Sequence, residues 1–103
     1  MLNKFQHGSA FSATATGTTT AVASKAGAAG FTHVALTASV SSDKAGSILL
    51  IKDGTTVIWQ GQVGVGFSDI TFPAGLSATT GALLSVEIDG TSVCKANLSG
   101  VTI

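Results

Sequence analysis

Residues 47–59, SILLIKDGTTVIW, constrain the fold more than any other stretch. Asp-Gly between apolar runs is a strong hairpin signal, because such a turn needs a residue at positive φ. With a two-residue turn at Asp53-Gly54, Leu50 faces Val57 and Ile48 faces Trp59. Leu49 then faces Ile58 on the other side, with Ile51 beside Thr56. With a type I turn and Gly54 left-handed, Leu49 faces Val57 and Ile48 faces Ile58. Either register leaves two apolar faces, whereas a single layer in water needs one. One set, Leu49, Ile51 and Ile58 or Ile48, Leu50, Val57 and Trp59, is therefore expected to fill a core. The other is expected to be covered by an N-terminal arm or a second subunit. Each such side chain contributes roughly 1.5–3 kcal/mol when buried.

The rest of the chain agrees with an all-β fold. Thirteen glycines and abundant Thr, Ser, Ala and Val favour strands and tight turns over long helices. Residues 10–24 read as two short strands with a bend at Gly17, and KAGAAG (25–30) as a glycine-rich loop. No Lys-Ser/Thr and no helix follow that loop, so it is not a phosphate cradle. Residues 31–42 read as a long strand with Val34, Leu36, Ala38 and Val40 on one face and His33, Ala35, Thr37 and Ser39 on the other. Val63, Val65 and Phe67 alternate with glycines in a loose strand or extended loop, SDITF is a short strand, and FPAGL fits a type I turn. Residues 82–98 read as a second hairpin around Asp89-Gly90, with Leu84, Val86, Cys94, Ala96 and Leu98 on one face. DGTTV and DGTSV share turn chemistry but not flanks, so no duplication is inferred. The sum is about eight short strands in a sandwich or barrel over residues 10–103, preceded by an arm at residues 1–9. In the arm and just after it, Phe5 and Phe11 are apolar anchors.

Charge limits the partners. The chain has five basic and five acidic residues and no net charge. The five lysines are scattered and arginine is absent, so nucleic-acid binding is not expected, and no basic amphipathic segment suggests a membrane surface. So few charges imply that part of the surface is covered. The N-terminal residues lack the apolar core of a secretory signal, so maturation in a cytoplasm is expected.

No catalytic constellation stands out, and neither an enzyme nor a cofactor is expected. His7 and His33 lack a second ligand at metal spacing. Asp43, Asp53, Asp69 and Asp89 sit at or near turns, where a carboxylate bonds the local backbone. Glu87 has no evident carboxylate partner for glycoside hydrolysis. Cys94, the sole cysteine, reads as a small buried hydrophobe. Trp59 would serve a carbohydrate-binding module only if exposed among polar groups, and burial in a core or interface is the better reading of a lone Trp.

The span TTTAVASKAGAAGFTHVALTASVSS, followed by GSILLIKDGTTVIWQGQ and ITFPAGLSATTGALLSVEIDG, resembles the small β-sandwich proteins encoded among tailed-phage structural genes, namely capsid decoration (cement) and short head-fibre proteins. The resemblance covers roughly residues 17–103 and lies in strand rhythm, the KDGTTVIW hairpin, the FPAGL turn and the GALLSVEIDG strand. It implies a jelly-roll-like antiparallel sandwich, homo-oligomers (often trimers) and attachment to a shell of major capsid protein. The expected location is the virion, reached by assembly in the host cytoplasm. It transfers no defined site residues. Taken with the hairpin, it makes Phe5, Phe11, Leu49, Ile51, Ile58 and Trp59 the candidate interface residues. A carbohydrate-binding sandwich of a spike or fibre is the alternative.

Overall fold

The computed structural model describes residues 8–103. Of the expected arm only Gly8 and Ser9 fall within this range, and Phe5 and His7 lie outside the described residues. Eight strands follow: β1 (Ser9–Gly17), β2 (Thr20–Lys25), β3 (His33–Ser42), β4 (Ile48–Asp53), β5 (Thr56–Gln62), β6 (Gly66–Ser77), β7 (Leu84–Asp89) and β8 (Cys94–Thr102). They form two four-stranded antiparallel sheets, β1-β8-β3-β6 and β2-β7-β4-β5. First pairs with last, second with seventh, third with sixth and fourth with fifth. The chain is thus one long hairpin wound into a jelly roll, with its tip at Gly54.

The core follows from alternation within each strand. The second sheet supplies the large inward side chains, Leu49, Ile51, Leu84, Val86 and Ile88. The first sheet answers mainly with small ones, Ala35, Ala38, Val40, Cys94 and Ala96, together with Leu98. Large against small lets the two layers interdigitate at close-packed density.

Three local readings need correction. In β3 a bulge at Leu36 shifts the register between Ala35 and Thr37. One extra residue exchanges the faces, so Ala35 joins Ala38 and Val40 in the core cluster, and His33, two residues before it, is buried. The close packing here also requires Gly100, where a Cβ would lie 2.0 Å from the Val34 carbonyl oxygen. The FPAGL turn does not separate two elements. Residues 72–75 are an excursion within β6, which rejoins β3 when Leu76 pairs with Ala35.

The third correction concerns Asp89-Gly90. Strands β7 and β8 belong to different sheets and form no hairpin. Gly54 has φ +62°, as its turn demands, whereas Gly90 is not among the glycines at positive φ. Gly90 answers a spatial need, since a Cβ there would meet Cys94 Cβ at 2.9 Å and the Thr18 carbonyl at 3.1 Å. The shared Asp-Gly pair serves two different physical purposes. The expected common face nevertheless forms across the sandwich, with Leu84, Val86, Cys94, Ala96 and Leu98 all buried.

Candidate interaction surface

In the β4–β5 hairpin the turn residues are Gly54 and Thr55, one position later than expected, since Asp53 pairs with Thr56. A bulge at Ile58 follows, so that Lys52 pairs with Val57 but Ile51 pairs with Trp59. The bulge brings both Ile58 and Trp59 against the core. Leu49 and Ile51 have no solvent exposure. As interface candidates these two are corrected to core residues, because the inner register directs them between the sheets. Ile58 and Trp59 are half-buried at the edge of the same core.

Trp59 closes the seam between the edge strands β5 and β6. Its ring meets Phe72 edge-on, with centroids 5.7 Å apart at 80°, and lies over Gly61. The indole already has neighbours on the sides a sugar would use, so Trp59 is not an open stacking platform.

What remains on the outside is the other half of the hairpin. Ile48 is 38% exposed and Val57 43%, with Leu50 half-buried between them. Val22, 44% exposed, lies in the same cross-strand row as Leu50, with Glu87 between them. Lys52 Nζ donates to Glu87 Oε1 at 3.0 Å, which neutralises the charged pair in the middle of this face. No element of the fold covers it among the described residues. The outer face of the first sheet contrasts with it, being built largely of hydroxyls and amides: Ser12, Thr14, Thr37, Ser39, Thr71, Asn97 and Ser99. Phe67, 68% exposed, is a large apolar side chain on this face. Pairing of β4 with β7, Leu49 opposite Ile88 and Ile51 opposite Val86, decides which set faces inward, and an all-apolar run carries no sign of it.

Phe11 is half-buried and its ring meets His33 edge-on, with centroids 5.7 Å apart. Lys25 Nζ stands 5.7 Å from the Phe11 centroid, within cation–π range. With Phe31 and neighbouring alanines these residues line a cavity of about 280 Å³ beside Ser9 and Ala10. His33 forms its wall rather than a reactive group. Nε2–H donates to the Ala26 carbonyl at 2.8 Å, since a carbonyl only accepts, and Nδ1 shares a 2.7 Å bond with Thr102 Oγ1. Both ring nitrogens are occupied. Among the described residues no group of three His, Cys, Asp or Glu side chains could hold a metal ion.

The aspartates bind distant segments of the chain rather than their own turns. Asp43 accepts from the amides of Thr91 and Ser92 and from the Ser92 hydroxyl, across the sandwich end. Asp89 reciprocates, taking Lys44 Nζ at 2.6 Å and the Ile48 amide at 2.8 Å. The Ser92 hydroxyl, followed by the Thr91 and Ser92 amides, holds the Asp43 carboxyl well below the usual carboxylate range. The Lys44 ammonium, then the Ile48 amide, lowers that of Asp89. At the opposite end Asp53 takes the amide and hydroxyl of Thr79, and on the polar face Ser39 donates to Asp69 at 2.6 Å. Burial, reinforced by Asp43 and Asp89, pushes the Cys94 thiol up, the opposite of what a nucleophilic thiolate requires.

No family model matches the chain, and no curated protein matches it in sequence. Similar solved structures include PliG, a periplasmic inhibitor of g-type lysozyme from Aeromonas hydrophila. It is 11% identical with a TM-score of 0.44, and the match covers 97% of this chain and 92% of that one. The insecticidal delta-endotoxin Cry8Ea1 of Bacillus thuringiensis is 12% identical with a TM-score of 0.48, over 98% of this chain and 21% of the toxin. The CBM36-1 domain of a multidomain xylanase from the hindgut metagenome of Trinervitermes trinervoides is 16% identical with a TM-score of 0.37, over 86% and 73% of the respective chains. Similarity at this level carries no argument about what this chain binds.

Proposed function

We propose that this chain is a structural virion protein, a capsid decoration subunit that binds and stabilises the head shell of a tailed phage. The shell-facing surface is the outer face of the β2-β7-β4-β5 sheet. One observation carries the reading: Val22, Ile48, Leu50 and Val57 stand outward on a sheet that no covering layer overlies among the described residues, around a self-neutralised Lys52–Glu87 pair. A face of this kind gains by burial against a partner and presents no net charge that must be desolvated unpaired. The resemblance in strand rhythm supplies the phage context, with the major capsid protein and copies of the chain itself as partners.

The test is co-sedimentation of the full chain with expanded heads of the encoding phage that lack decoration. Saturable binding is expected, with Leu50→Lys and Val57→Lys weakening it at least tenfold while Thr71→Lys, on the opposite sheet, does not. Absence of co-sedimentation, or equal loss in all three variants, contradicts the proposal.

A further inference from the structure

Four strands lie at sheet edges, and three are blunted against further pairing. Strand β6 carries Asp69, Pro73 and the 72–75 excursion. Strand β5 is interrupted by the bulge at Ile58. Strand β2 has six residues and ends in Lys25, and its inward Ala21 and Ala23 are already buried. Charges, proline, bulges and shortness are the devices by which edges avoid pairing.

Strand β1 has none of them. Its nine residues, SAFSATATG, carry no charge and no proline. They pair with β8 in unbroken register from Ser9 opposite Thr102 to Gly17 opposite Cys94. Among the described residues the other side of β1 makes no backbone hydrogen bond. Phe11, Ala13 and Ala15 pack against the core yet remain half-buried, because the sheet ends beside them.

We infer that β1 pairs antiparallel with β1 of a second copy about a two-fold axis, joining two four-stranded sheets into one of eight. The occupant is a second copy because the strand complements itself. Centred on Ala13, the pairing sets Ser12 opposite Thr14, Phe11 opposite Ala15 and Ala10 opposite Thr16. Each pair lies on one face, with no like charges, hydroxyl beside hydroxyl and the one bulky ring beside a methyl. The second strand satisfies the idle backbone groups and covers Phe11, Ala13 and Ala15 at the open edge. The hydroxyl-rich outer face becomes continuous and the apolar face of the other sheet stays free. The inference rests on the part of the proposed function in which copies of the chain associate, and is independent of the shell.

The experiment is sedimentation equilibrium of the full chain alone, without shells, so that its failure is distinct from failure of shell binding. A single strand pair buries less than the roughly 800 Å² per partner of a standard interface, so a concentration-dependent dimer is expected. The average mass should rise from 10.1 kDa towards twice that value between about 10 μM and about 1 mM. Ser12→Lys/Thr14→Lys places lysines directly opposite one another and should weaken the dimer at least tenfold. Mixing that chain with Ser12→Glu/Thr14→Glu should restore association, and Thr71→Lys should leave it unchanged. A monomer throughout the range, a lysine variant that associates like the parent, or equal loss in Thr71→Lys overturns the inference. Amide exchange on the unsubstituted chain gives a check that needs no variant. Protection of alternate β1 amides should grow with concentration, and protection independent of concentration overturns the pairing.

Discussion

The indole of Trp59 lies over Gly61, so that a Cβ built on Gly61 would fall 2.9 Å from Cη2 of the ring. Gly61 pairs with Leu49, and Trp59 with Ile51, on the inner side of the hairpin. A ring two residues away thus fills the space that a side chain at position 61 would take. Gly61→Ala is expected to displace the ring from Phe72 and to cost about 1–3 kcal/mol through overpacking. Trp59 is the sole tryptophan, so its emission maximum reports the displacement directly.

The division of the hairpin into inner and outer sets gives a contrast in stability. Leu49→Ala removes a side chain with no exposure and is expected to cost about 2–5 kcal/mol. Val57→Ser, on the outer face, should cost less than about 1 kcal/mol. Urea unfolding followed by Trp59 fluorescence measures both.

His33→Ala leaves the Ala26 carbonyl and the Thr102 hydroxyl without their partner, and opens a space beneath Phe11. A loss of about 3 kcal/mol is expected from the combined cavity and lost hydrogen bonds. His33→Gln should recover part of it, since an amide can both donate and accept. Thermal melting of the two variants checks the order.

Acid should weaken the loops joined by Asp43 and Asp89. Both carboxyls are held below their ordinary range by hydrogen bonds formed in the folded state. A carboxyl whose folded value is depressed favours the fold above its unfolded value. That contribution is lost as pH falls through the folded one, so stability should decline below about pH 4. Asp43→Asn should melt lower than the parent at pH 7, and the difference should shrink at pH 3. A constant difference between the two pH values contradicts this account.

The sequence made the strands legible and much of their pairing illegible. Alternation located β3, β7 and β8, and Asp53-Gly54 marked the one connection that joins neighbours within a sheet. The other connections cross between sheets, and local turn chemistry carries no record of that, which is why Asp89-Gly90 read as a hairpin. The bulges at Leu36 and Ile58 are single-residue events without a distinguishing composition. Each nevertheless exchanges the faces of its strand, sending His33 inward and making Trp59 a companion of Leu49 and Ile51. The expectation of two apolar faces stands on composition alone and needed no register. Which residues a partner would touch did need one, and for that reason Ile48, Leu50 and Val57 replace Leu49 and Ile51. The long-range roles of Asp43 and Asp89 were equally hidden, since the amides that donate to them lie 41–49 residues away.

In the proposed function the outer face of the β2-β7-β4-β5 sheet docks on a shell, and hydroxyl-radical footprinting of the full chain, free and bound to expanded heads, reads that contact residue by residue. Oxidation of Val22, Ile48, Leu50 and Val57 should fall on binding, while that of Phe67, exposed on the other sheet, should stay unchanged. Protection of Phe67 with no protection of the four would contradict the account.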